Sequence, residues 1–386
     1  MNRRALILPH VNVKCMQQAT FLRVEPAGLD TPVSLIASRM WELEAPVIPV
    51  VDPESKLAGV VSIFTLLRSR LQPGTKAKSV LEKAPAVEDP SDLLGAARLF
   101  VKTGLPGLPV VREGRVEGVI SARVVLRGLS LRSAAPSKYL MYQLQPLSPE
   151  DSVEKARKLA AEVGLRIVPV AREGRLEGVV RVYDLVNFLY GTPLRREKLG
   201  EVRGDVEYFL DQPVRKIAVP YQRVVRVDAP PGPDDIAEGA VVVDENGRVV
   251  GVISPYLLLR RLFPAVEEAA LPVRVEGLDE KVDLISQRLI ARKCTEAARE
   301  ISRRARLLSF HVVVKPRERG GERRRYEVTA TVKLDVDVFT ASAEGWDLVT
   351  TVYDAVDAVY RSFSKAKDRS RDRRIDLARL RKRLGL

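Results

Sequence analysis

The chain reads as a multidomain protein of mixed α/β and α+β class. Two observations carry that reading. One strand–turn–strand–helix pattern occurs four times before residue 265, and a β-α-β-β-β-α succession follows it. A third observation, the gathering of positive charge late in the chain, bears on what its end does. At 386 residues there is length for several domains. A hydrophobic share of 46% with 30% charged residues describes folded domains, not a disordered chain. Charge is abundant while Asn, Gln and Cys are scarce, a composition found in thermophile proteins.

The four copies are IPVVDPESKLAGVVSIFTLL, LPVVREGRVEGVISARVVL, VPVAREGRLEGVVRVYDLV and AVVVDENGRVVGVISPYLL. Each is a short apolar strand, a polar turn, a second apolar strand led by a glycine (Gly59, Gly118, Gly178, Gly251), and a helix start. Strands without polar alternation belong to a sheet covered on both faces. Helical stretches such as SDLLGAARLFVKTG and SVEKARKLAAEVG precede the hairpins and end in glycine, a helix stop.

These copies resemble CBS motifs, over roughly residues 11–265. The resemblance implies two CBS-pair modules, residues 1–130 and 131–265, then a linker over 266–272 within PAVEEAALP. It also implies an adenine nucleotide (AMP, ADP or ATP) as a ligand between paired motifs. In the family a Thr or Ser follows the glycine-led strand, and an Asp three residues later holds the ribose. The corresponding pairs here are Ser62 and Thr65, Ser121 and Val124, Arg181 and Asp184, Ser254 and Leu257. Only Asp184 keeps the carboxylate, so Arg181 and Asp184 are the nucleotide candidates. A solvated helix start is the competing reading of Asp184.

The last third reads differently. A short strand, Val273 to Gly277, precedes a helical pattern from about Val282 to Arg306. At 100° per residue, Leu289, Ala297, Ile301 and Leu308 share one face. Arg288, Arg292, Arg299, Arg303 and Arg306 form a stripe opposite, with Glu296 and Glu300 off it. A row of one sign suits phosphates better than a salt-bridge lattice does. SFHVVVKP is a strand closed by Pro316, followed by a basic, glycine-flexible loop. RYEVTATVKLDVDVFTASAEG alternates with period two, as two strands turning near Asp335-Val336-Asp337. Asp347 sits where a helix start favours a carboxylate. In the final helix Leu348, Val349, Val352, Val356, Val359 and Phe363 face a sheet. Asp354 and Asp357 give way on the outer side to Arg361, Lys365 and Arg369.

Residues 271–386 hold 27 Lys or Arg against 18 Asp or Glu, so +9 of the net +14 lies there. Such an excess favours polyanions, chiefly nucleic acid. An ordinary solvated surface is the competing reading.

The domain from 273 to 386, with its basic tail, resembles the ribosome hibernation promoting factors, also called ribosome-associated inhibitors. The resemblance runs through ASAEGWDL, the later Asp357, the basic run KAKD, the opening VEG and the strand HVVVK. Val349, Tyr353 and the Asp335–Asp337 turn depart from the family pattern. The resemblance implies binding to small-subunit rRNA in the mRNA and tRNA channel, with translation silenced under stress. Lys293, Arg361, Lys365, Lys367, Arg369 and Arg371 would face RNA. As a whole the chain resembles archaeal proteins that join CBS modules to a hibernation domain, the CBS part regulating or docking on the large subunit. The alternative is a nucleotide-responsive regulator of another nucleic acid or of an enzyme.

Enzymatic chemistry is not expected. His10 and His311 are the two histidines, Cys15 and Cys294 show no base at a fitting spacing, and no metal or phosphate-loop motif appears. No required cofactor, no membrane span and a cytoplasmic location complete the expectations.

Overall fold

The computed structural model describes residues 21–129, 131–191, 206–263, 271–279, 282–317, 324–335 and 337–384, with the side chains of the last helix as far as Lys367. His10, Cys15, most of the linker and most of the basic 317–326 loop lie outside the described residues. The chain divides near residue 265 into two compact units.

In the N-terminal unit each repeat forms an antiparallel hairpin, as its turn chemistry predicts. The hairpins are Val47–Val51 with Leu57–Ser62, Gly107–Arg112 with Arg115–Ser121, Ile167–Arg172 with Arg175–Arg181, and Ala240–Val243 with Val249–Ile253. Helices Val33–Leu43, Leu93–Thr103, Val153–Val163 and Pro233–Glu238 precede them. Gly104 and Gly164 close the second and third helices in the left-handed region, at φ 73° and 82°.

The repeats are tied in pairs by exchanged segments. Leu22, ahead of the first repeat, bridges to Val119 of the second, while Glu82, ahead of the second, bridges to Val60 of the first. Tyr142 and Gln143 likewise pair with the fourth hairpin, and Val219 with Val179 of the third. These crossings explain the repeated glycine. A Cβ on Gly59, Gly118, Gly178 or Gly251 would meet the carbonyl of Glu82, Leu22, Val219 or Tyr142 at 2.5, 2.1, 2.7 and 2.5 Å. Helices join one pair to the other. Helix Val33–Leu43 packs on the π-helical turn Asn187–Gly191, and helix Ala122–Gly128 on Pro233–Glu238. Tyr190 is fully buried there and donates its hydroxyl to the carbonyls of Leu66 (3.0 Å) and Ser69 (2.8 Å).

The C-terminal unit comprises β1 (Val273–Glu276), α1 (Leu284–Ser302), β2 (Leu307–Arg317), β3 (Arg325–Leu334), β4 (Val338–Gly345) and α2 (Leu348–Leu384). The sheet order is β1-β2-β3-β4, with β1 parallel to β2 and the others antiparallel. Phe310, Val312 and Val314 of β2 and Val328, Ala330 and Val332 of β3 form one buried face under both helices. The two-residue period is therefore one covered face and one open face. In α2 the buried apolar residues among those described are Leu348, Val349, Val352, Ala355, Val356, Val359 and Phe363.

The first helix departs from the expectation. It ends at Ser302, and Leu308 stands in β2, 42% exposed. Its core face is Ile285, Leu289, Ile290, Cys294, Ala298 and Ile301, so Ala297 lies beside the seam. Neither glycine nor proline marks this stop, which is why the periodic pattern ran on into the strand.

Candidate ligand cavity and nucleic-acid surface

Where the four repeats meet, a cavity of about 640 Å³ is lined by Glu44, Arg123, Arg127, Arg166, Tyr183 and Tyr256, among others. Every repeat contributes. Glu44 ends the first helix with φ 46°, a left-handed cap that is glycine in the next two repeats. A non-glycine residue held in that region stores strain. Its carboxylate lies 3.3 Å from Arg123, 3.0 Å from Arg166 and 3.5 Å from Arg181.

Glu238, whose side chain is 8% exposed, lies 2.8 Å from Arg123, 2.7 Å from Arg127 and 3.3 Å from Arg166. Arg166 also lies over the Tyr183 ring, 5.7 Å from its centre. Burial pushes the Tyr183 hydroxyl up to about 12. The arginines that would greet an anion are thus held by the protein's own carboxylates.

Arg181 and Asp184, the nucleotide candidates, are bound to each other. Arg181 Nε and Nη2 donate to Asp184 at 2.6 and 2.8 Å, and the Asp184 hydrogen bond holds the guanidinium above its usual range. The Trp41 indole of the first repeat donates to Asp184 at 3.0 Å. The carboxylate reserved for a ribose is occupied from two sides. Sequence reasoning missed Glu44, Arg123, Arg166 and Glu238. The one signal was Glu44 at a glycine cap.

A second network joins the first and third repeats. Arg157, 6% exposed, donates to Glu154 and to the Leu67 carbonyl, and Arg70 reaches Glu154 (3.2 Å) and Glu207 (2.9 Å). Chiefly through the Arg157 hydrogen bond, Glu154 is lowered to about 2.

In the C-terminal unit the stripe on α1 is not of one sign. Arg292 pairs with Glu296 at 2.6 Å, and Arg303 pairs with Glu300. The offsets of four and three residues bring the glutamates back beside the arginines, which helix geometry favours. Arg288 and Arg299 are half-buried, and Arg306 lies 4.0 Å from Asp335. Lys293 is anchored between the helices, 2.6 Å from Asp357 and 5.0 Å from the centre of the Tyr353 ring. Arg361 and Lys365 are exposed and Lys367 half-exposed, whereas the side chains of Arg369 and Arg371 fall outside the described residues.

The topology adds what the sequence did not show. Strands β1 and β4 run the same way, and each is followed by a helix running back, so α1 and α2 are parallel neighbours. Their C-terminal halves, with Arg303, Arg361 and Lys365, therefore lie toward the same end of the sheet. Helix α2 then continues past Phe363, the last buried side chain among the described residues, for roughly 30 Å at the helical rise. Cys294 is buried in α1, and burial pushes its thiol up to about 12, an inert state. No His, Cys, Asp or Glu cluster fit for a metal occurs among the described residues, and no helix there is long and apolar enough to cross a membrane.

Residues 78–131 and 140–191 each match the CBS domain family. The chain carries a CBS pair. Its fold is similar to the crystal structure of protein MJ1225 from Methanocaldococcus jannaschii, with a TM-score of 0.51 and 18% identity over 62% of this chain and 95% of that one. Among curated proteins it is similar to the uncharacterized protein MJ1404 of the same organism, 23% identical over 79% of this chain and 74% of that protein. It is also similar to an uncharacterized 33.4 kDa protein in the ribosomal RNA operon of Thermofilum pendens, 25% identical over 61% of this chain and 90% of that protein.

Proposed function

We propose that this chain is a non-enzymatic inhibitor that binds the small ribosomal subunit through its C-terminal unit and silences translation, with the CBS part as a regulatory or docking module. The observation that carries this reading is the pair of parallel helices with cations gathered toward one end, drawn out by the long α2. Exposed ion pairs such as Arg292–Glu296 are worth a few tenths of a kcal/mol, so phosphates replace the glutamates at small cost. The Thermofilum pendens relative is named for its place in a ribosomal RNA operon, which agrees with this setting.

Co-sedimentation of the full chain with small subunits tests the reading. Six phosphate contacts would give a log–log salt slope of about −4 to −5. A slope near zero, or no co-sedimentation at low salt, ends it.

The cavity favours a second reading for the CBS part, an adenine nucleotide whose phosphates exchange for Glu44 on Arg123 and Arg166. A ligand at a hundredfold excess over its dissociation constant adds about 2.7 kcal/mol to the folded state. AMP, ADP and ATP are therefore expected to raise the melting temperature of the full chain, and Arg166→Ala to remove the effect. If none shifts melting at millimolar concentration, the module is a rigid platform.

A further inference from the structure

The end of the C-terminal sheet away from Arg361 and Lys365 carries its own unexplained chemistry. Trp346, in the turn between β4 and α2, is 61% exposed. An indole left in water at a loop tip buries nothing in the core. Register places it. Gly345, the residue before it, sits opposite Tyr326 of β3, which sits opposite Pro316 of β2.

That end therefore gathers the loop end of the β2–β3 hairpin, where Arg317, Arg324 and Arg325 stand within two residues of Pro316 or Tyr326. Each arginine pairs with an acid at the surface: Arg317 with Glu327 at 2.6 Å, Arg324 with Asp279 at 2.8 Å, and Arg325 with Glu344 at 2.8 Å. Their side chains stay 67, 41 and 43% exposed, so these pairs are in solvent and hold little energy. Both helices start at this end, but the Asp283 and Asp347 carboxylates already accept the N–H groups of Ser286 and Thr350. Anion binding there falls to the arginines.

An exposed flat aromatic beside several guanidinium groups matches a single-stranded nucleic acid, whose bases stack on the ring and whose phosphates meet the cations. A protein partner would more often be met by a contiguous apolar patch. Here the chain neighbours of Trp346 include Glu344, which pairs with Arg325 at 2.8 Å, and Asp347. We propose that Trp346 is a base-stacking platform for single-stranded RNA, with Arg317 and Arg325 taking the flanking phosphates, so that the unit holds RNA at both ends. This rests on the reading of the unit as RNA-binding but uses none of the helix residues named for it.

The test measures binding of the full chain to a short fluorescein-labelled oligouridylate by anisotropy, across a salt series. Trp346→Ala is expected to weaken binding roughly 5- to 100-fold, the range for losing one stacked base, while Trp346→Phe keeps most of the affinity. The salt slope should stay unchanged in both, because stacking releases no counterions. Arg317→Gln with Arg325→Gln should lower the magnitude of the slope by about 1.4. In the wild type, RNA should quench a tryptophan signal that is missing in Trp346→Phe, where Trp41 alone remains.

Melting curves matching wild type confirm that the variants fold. If Trp346→Ala binds within twofold of wild type, or if the wild type does not bind the oligonucleotide at low salt, the proposal is overturned. Arg361→Glu with Lys365→Glu separates it from the helix reading. Loss in that variant alone leaves the helices and removes Trp346, and loss in Trp346→Ala alone does the reverse.

Discussion

The arginines of the two units have comparable partners but different surroundings. Around the CBS cavity, Arg123, Arg127 and Arg166 converge on Glu238, whose side chain is 8% exposed. On α1, at its C-cap and at the loop end of the β2–β3 hairpin, Arg292, Arg303, Arg317 and Arg325 pair with acids in open solvent. A buried charge cluster is held by what it would cost to leave any member unpaired, while a surface pair gains little from its own contact. The first arrangement holds four repeats in one geometry. The second leaves cations free to change partners, as a phosphate-binding surface requires.

The sharpest way to break this contrast is Glu238→Ala. It removes the least exposed carboxylate from three guanidinium groups, two of which keep Glu44, and should destabilise the N-terminal unit by about 1–3 kcal/mol. Thermal unfolding of the full chain would show it, and a loss below about 1 kcal/mol would make the cluster no different from a surface pair. Exchanging Arg361 and Lys365 for Glu should leave the melting temperature in place while lowering the magnitude of the salt slope for ribosome binding by about two. A shifted melting temperature would mean that these side chains support the fold.

Acid gives a third test. Glu154 is lowered to about 2 from 4.5, first by its hydrogen bond with Arg157. A carboxylate lowered on folding contributes stability that is complete above its unfolded value and is lost as pH falls through the folded value. The N-terminal unit should therefore lose of order 2 kcal/mol between pH 4.5 and 2, allowing for partial solvation. Glu154→Gln should flatten that limb, and a parallel curve would exclude the network as its cause. The smallest effect belongs to Arg292→Ala, less than about 0.5 kcal/mol in stability, because its Glu296 partner stays solvated. A larger loss would show that the α1 stripe is structural.

Most of the architecture was readable in the residues. Glycine-led hairpins, glycine caps at 104 and 164, and the alternation through Tyr326–Glu344 each follow from local sterics or a two-residue period. The order β-α-β-β-β-α and the buried side of α2 follow from the same periodicities. The candidate sites were readable only as compositions. Arg292 and Lys293 could be placed on a helix, but not given their partners. The arginine stripe looks single-signed on a helical projection, which hides the reach of Glu296 and Glu300.

The sequence by itself determined the repeat, the strands and helices, and the concentration of charge, because each is written within a few turns of chain. Tertiary structure alone decided which carbonyl presses on each repeated glycine, and that Trp41 would close on Asp184, 143 residues away. It also decided that Glu44, Arg123 and Arg166 would line one cavity with Glu238 paired to both arginines, and that Gly345 would lie across from Tyr326. Those meetings depend on packing between elements far apart in the chain, where no local period reaches and where burial, not propensity, sets which charges must find each other.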